Sequence, residues 1–140
     1  MNPPTGEKTP PTVTAKAPIV LDADNIMADG MECKIDVVSS DNAGITKFTC
    51  DIISDKLTEA ELSGMGLSSH LDLVNTPDEL MEPLSGLGFP VRIGGQKSVT
   101  LDITPFMGLL GALGSGRHEF KLVVGDANGE TVKSLILVKQ

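Results

Sequence analysis

The sequence predicts an all-β fold: an immunoglobulin-like antiparallel β-sandwich with a short helical insert. Three observations point there. Hydrophobic residues recur with a period of two over most of the chain, turn clusters separate the alternating stretches, and the helical segments are too few and too short for βαβ units. The alternative on the same pattern is an α+β fold with the helices packed on one sheet face. A length of 140 residues suits one domain, because a chain of that size buries about two thirds of its unfolded surface. Aromatic residues make up 3% of the chain, with no Trp or Tyr, so the core must be aliphatic around Phe48, Phe89, Phe106 and Phe120.

Residues 1–17 carry Pro3, Pro4, Pro10 and Pro11 among Thr, Lys and Gly, a composition that reads as a disordered tether. The folded domain is then expected over residues 18–140, although Thr12 to Leu21 also reads as a first strand. Met31, Cys33, Ile35 and Val37 alternate with polar residues, as do Phe48, Cys50 and Ile52, then Val99, Leu101 and Ile103, then Phe120, Leu122 and Val124 with Val123 as the exception. Ser39 to Gly44 and Gly125 to Gly129 are turn clusters, the second a hairpin signal because Asn128-Gly129 tolerates positive φ.

The alternation breaks near residues 57–97, the helical insert. Thr58 and Glu61 form a capping box flanked by Leu57 and Leu62, so one helix ends near Gly64. Thr76 is expected to cap a second, with Pro77 at its first position and Pro83 as its stop. A third begins at Thr104-Pro105, where Phe106, Leu109, Leu110 and Leu113 share a face. Gly108, Gly111 and Gly114 weaken it, so tertiary packing must hold it. The last strand carries Val132, Ile136 and Val138 on one face and Leu135 and Leu137 on the other. Covering of its second face within the full-length protein is expected in preference to pairing with another copy, since Lys133 and Lys139 punctuate it.

Catalytic groups are sparse. Ser68, Ser69, His70 and Asp72 are the nearest thing to a Ser/His/Asp set, but sequence neighbours seldom form a triad. His70 is expected in a surface loop and His118 at a solvated strand end. Asp22, Asp24, Asn25 and Asp29 form one acidic cluster, and Asp126, Asn128 and Glu130 a second. Neither has the register of a calcium loop, and both read as solvated turns. Cys33 and Cys50 share inward parity and would face each other across a turn at Asp41-Asn42. Free buried thiols are favoured over a disulfide there. Gly94-Gly95 reads as a tight turn, and no phosphate-binding glycine motif is present. Phe89 reads as a plug under the insert, which leaves no flat aromatic platform for a sugar ring. A net charge of −8 disfavours nucleic acid as a partner. The sequence therefore predicts no enzyme, and no catalytic, cofactor-binding or metal residues. No apolar stretch reaches the ~20 residues needed to span a bilayer, so no transmembrane segment is predicted.

Several phrases read together resemble a family. They are Leu57-Thr58 to Gly66-Leu67, Leu71 to Asn75, Leu84 to Pro90, Val99 to Thr104, and His118 to Gly129. As a set they are similar to the immunoglobulin-like domain of unknown function in surface lipoproteins of Bacteroides-type gut bacteria, often N-terminal to a carbohydrate-metabolism domain. The resemblance covers roughly residues 18–140, and the Pro-rich stretch matches the tether after a lipidated cysteine. It implies an exported protein at the cell surface or in the periplasm, lipid-anchored when full-length, whose partners are neighbouring domains of the same polypeptide, a glycan or a surface protein. The role it implies is a non-catalytic binding or spacer module. The alternative is a glycan-binding module working with a downstream carbohydrate-related domain.

Overall fold

The computed structural model describes residues 9–140. The elements run β1 (Thr12–Ala15), β2 (Asp24–Ile26), β3 (Lys34–Val38), β4 (Lys47–Ser54), α1 (Glu59–Gly64), β5 (His70–Asp72), α2 (Asp78–Gly86), β6 (Ser98–Asp102), α3 (Thr104–Ala112), β7 (Gly116–Asp126) and β8 (Gly129–Lys139). Mostly β, they form a three-stranded sheet in the order β1-β3-β6 and a five-stranded sheet in the order β2-β8-β7-β4-β5. One hydrophobic cluster joins Val13, Ile35, Val37 and Leu101 of the first sheet to Phe48, Cys50, Leu122 and Leu137 of the second. Two sheets sharing one core is an arrangement compatible with a β-sandwich.

The alternating residues become the core. Cys33, Ile35, Val37, Phe48, Cys50, Leu101, Phe120, Leu122 and Val124 are all buried, while their polar neighbours face outward. Along β8, Leu135 and Leu137 point into the same core. β2 pairs with the C-terminal half of β8 along its edge, and there the outward-facing Ile136 is only 8% exposed. Val132, beyond the reach of β2, stays 51% exposed.

Three features of the sheets depart from the sequence expectation. The first strand stops at Ala15, and residues 12–15 pair with β3 inside the segment read as tether. Residues 1–8 of that tether lie outside the described residues. Second, β2 runs parallel to β8, so the sheets are not wholly antiparallel. Asp-Asn-Ile has no alternation to reveal it. It is fixed by Asn25, whose buried amide donates to the carbonyls of Val20, Ala23 and Ile136 and accepts from the Val20 amide at 2.8 Å. Third, β3 and β4 do not form a hairpin; they lie in different sheets. The connection arches between the sheets through a 3-10 turn at Ser40–Asn42. Backbone bonds from Ser39 to Lys97 and from Ile45 to Gln96 hold it.

The insert holds α1 and α2 as expected, and also the short strand β5, paired with β4 at the sheet edge. Thr58 Oγ1 accepts the Glu61 amide at 3.3 Å, and Leu57 and Leu62 are buried on either side. The second cap differs. Thr76 is buried and does not cap α2; it donates to the Asp72 carbonyl at 2.9 Å and accepts the Arg92 amide at 3.2 Å. Nor does Pro83 stop α2, which runs through it to Gly86. Pro83 removes one amide bond from the helix, but burial of Leu84 carries the last turn past it. Thr58→Ala should therefore cost ~0.5–2 kcal/mol, an ordinary cap loss. Thr76→Ala should cost more, about 1–3 kcal/mol, because it strands two backbone groups. Urea unfolding checks the order, and a Thr76→Ala cost below that of Thr58→Ala would contradict it.

Candidate functional site

The structure separates the residues that came closest to a catalytic set. His70 Nδ1 sits 2.6 Å from Asp51 Oδ1 across the β4–β5 pair, on the exposed sheet face. Asp72 Oδ1 instead accepts the amides of Val74 and Asn75 at 3.0 and 2.9 Å, and the Ser68 hydroxyl donates to the carbonyl of His70. Ser68, His70 and Asp72 thus each serve a different local turn or strand bond.

The first acidic cluster disperses, and the second is a buried clasp where a solvated turn was expected. Asp22 Oδ1 accepts the Ser134 amide at 2.8 Å, Asp24 faces Arg117, and Asn25 is spent on the carbonyls already described. Asp126 is buried at the β7–β8 turn. Its Oδ2 accepts the amide and hydroxyl of Ser40, and its Oδ1 the amide of Asn128 at 2.7 Å. Burial alone would raise its pKa, but these hydrogen bonds favour the charged form and hold it below the ordinary carboxylate value. Asn128 Nδ2 completes the clasp by donating to Ser40, while Glu130 pairs with Lys47. This second cluster is therefore a latch for the arch between the sheets. In the turn itself the positive φ belongs to Gly129, not Asn128. Among the described residues no group of three or more His, Cys, Asp or Glu is placed to hold a metal ion.

Cys33 and Cys50 are free and buried, as favoured, but they do not face each other along one hairpin, because Cys33 leads into β3 and Cys50 lies on β4, in different sheets. Burial, helped by the nearby Asp102 charge, pushes the Cys33 thiol up to about 12. Burial also raises Cys50, with Asp51 adding to it. Neither is a ready nucleophile.

His118 is the largest departure. It was expected in solvent and is 0% exposed, on the inward face of β7 with Phe120, Leu122 and Val124. Its Nδ1 lies 2.6 Å from Ser54 Oγ, and its Nε2 is buried with no hydrogen-bond partner. The parity of the strand carried this signal, since position 118 shares the face of Phe120.

The cleft that the sequence did not announce lies between the 27–31 loop and α3. It measures about 370 Å³, and Met27, Met31, Thr104, Met107, Gly108 and Lys139 line it. A second hollow of about 430 Å³ lies at the same loop, between Pro18, Ile26 and Glu32. Thr104 ties the floor together, since its hydroxyl donates to Asp102 Oδ1 at 2.7 Å and accepts the Cys33 amide at 3.0 Å. That hydroxyl bond, ahead of the opposing effect of burial, lowers the Asp102 pKa. Phe89 is buried as expected, and all four Phe lie in the core. No described helix is long and apolar enough to cross a membrane. No family model matches the chain, and no curated protein matches it.

Proposed function

We propose that this chain is an immunoglobulin-like, non-catalytic binding or spacer module of an exported, cell-surface lipoprotein. The observation that carries the reading is where the chain meets the two ends of the long sheet. Pro10 lies over Gly129 at the β7–β8 turn, and the Thr131 hydroxyl donates to the Pro11 carbonyl. Lys139 lies at the other end, opposite Gly116. Between Thr131 and Lys139, β8 advances ~3.3 Å per residue, or about 26 Å, so the chain enters at one end and leaves at the other. That geometry suits a unit that sets the distance between neighbouring domains. The resemblance in sequence supports export and anchoring. The commitment of Asp51, Asp72, His70 and Ser68 to local bonds supports a role without catalysis. A screen of the purified chain on glycosides, esters and peptides should give no turnover. Turnover abolished by His70→Ala would overturn the reading.

The glycan-binding alternative, alongside a carbohydrate-related domain, has one observation in its favour. The cleft beside α3 has Asp29, Thr104 and Lys139 among its lining residues as groups able to bond hydroxyls. Against it stands the burial of every aromatic ring. Calorimetric titration with oligosaccharides decides: binding lost on Asp29→Ala would favour it, and no heat at millimolar ligand would remove it.

A further inference from the structure

His118 presents a buried titratable ring whose hydrogen bonding is fixed by valence. Ser54 Oγ accepts the amides of Lys56 at 3.1 Å and Leu57 at 2.9 Å, which occupies both of its lone pairs. Its single proton must therefore go to His118 Nδ1 at 2.6 Å. The ring is then the neutral tautomer with its proton on Nε2, the atom left without a partner in the core. A second proton could be added only at Nδ1. That N–H would need a lone pair of Ser54 Oγ, so one of the two amides would lose its acceptor, and a charge would be buried with Nε2–H still unpaired.

We propose that Ser54 and His118 form an acid-sensitive latch at the junction of β4 and α1. Protonation of His118 releases the amides of Lys56 and Leu57 and loosens α1 ahead of the remaining fold.

The surroundings offer little to offset the charge. Asp55 and Lys56 are the charged groups of the adjoining turn, and the Asp55 carboxylate already accepts the Arg117 amide at 2.9 Å. Arg117 and Glu119 flank His118 on β7 but alternate to the outer face. Across the sheet stand Ser54 and Leu137, and the next position beyond Leu137 is Asn25, none of them ionisable. The α3 segment, whose Phe106 packs on Phe120, carries no titratable side chain, and α1 has only the exposed Glu59 and Glu61. Burial lowers the His118 pKa below the ordinary 6.5, against the opposing pull of Asp55. The open state therefore takes up a proton before the closed one. The latch is fully stabilising above 6.5 and weakens as pH falls from there through the lowered closed-state value. Asp102 and Asp126, held below 3.8, lose their contributions only in stronger acid, so the two windows are distinct.

Amide hydrogen exchange, corrected for intrinsic rates, tests this at pH 7.5 and 5.5. Protection of Lys56 and Leu57 should fall, by at most about tenfold, the limit for one ring that titrates at its ordinary 6.5 when open and stays neutral when closed. Cys50 and Leu122, which open only with the whole fold, should stay better protected than Leu57 at both values. In His118→Asn, whose side chain does not titrate, Leu57 should be equally protected at both values. An unchanged Leu57 in the native chain, or an equal loss in His118→Asn, would overturn the proposal. Should that variant not fold, the imidazole nitrogen shifts of the native chain decide. An Nε2–H ring titrating below 6.5 in step with the Leu57 amide is expected. An Nδ1–H ring, or a Leu57 amide that ignores the titration, overturns it.

Discussion

Phe106→Ala is expected to destabilise the fold by about 3–5 kcal/mol, the cost of emptying a well-packed ring site. Phe106 is the middle ring of a row. Its centroid lies 5.9 Å from Phe89 and 5.7 Å from Phe120, both edge-to-face, and each such pair adds ~0.5–1.5 kcal/mol beyond burial. The row joins three separate parts of the chain: the loop after α2, α3 and β7. It matters most for α3, whose Gly108 and Gly111 disfavour a helix at ~1 kcal/mol each. Burial of Phe106, Met107 and Leu110 must hold it. Urea unfolding and the helical dichroism of the variant should report both losses. A change below about 1 kcal/mol, with the helical signal intact, would mean that the ring row does not anchor α3.

Gly88→Ala is the second large effect. Gly88 has φ +96°, and a Cβ there would meet the Asp102 carbonyl oxygen at 1.5 Å. The obstacle is backbone, held by the Asp102 amide bonding back to the Gly88 carbonyl at 3.2 Å, so no side chain can swing aside. A left-handed non-glycine conformation costs ~1–2 kcal/mol and the forced shift of β6 ~1–3 more. About 3 kcal/mol is the expected total, read as a lowered urea midpoint. By contrast, Gly30 has open space around it and φ +77°, so Gly30→Ala should show the conformational cost alone. Equal losses at the two positions would contradict the close approach of residue 88 to β6.

The sequence pattern reached the core more surely than the connections. Phe48, Cys50 and Ile52, or Phe120, Leu122 and Val124, declare their face because every second residue must meet the same core. Thr58 was legible because a cap is a local bond within four residues. Which strands share a sheet was not, because that is decided over long separations. The arch from β3 to β4 is fastened by Asp126, 86 residues beyond Ser40, and β2 is fastened by the reach of Asn25 to Ile136, 111 residues away. The same distance problem hid the use of Thr76, whose acceptor role serves Arg92 rather than its own helix. His118 was within reach of the alternation rule, but Gly114-Ser115-Gly116 just before it has the composition of a turn and so points to a strand end. The strand in fact begins at Gly116. The cleft beside α3 joins Met27 and Met31 to Met107 and Lys139, residues with no shared motif, so nothing in the local sequence marks it.

A spacer module needs its attachment points at opposite ends of the long sheet, as Pro10 over Gly129 and Lys139 opposite Gly116 are. A pulsed electron-spin distance between labels on Pro10→Cys and Gln140→Cys tests that placement most directly. The native Cys33 and Cys50 are buried, and burial raises both thiol pKa values, so they should stay unlabelled at neutral pH. With one end over Gly129 and the other beyond Lys139, the length of β8 predicts a single narrow distribution centred at about 30 Å. A distribution centred below about 20 Å would place both ends together and contradict the spacer geometry.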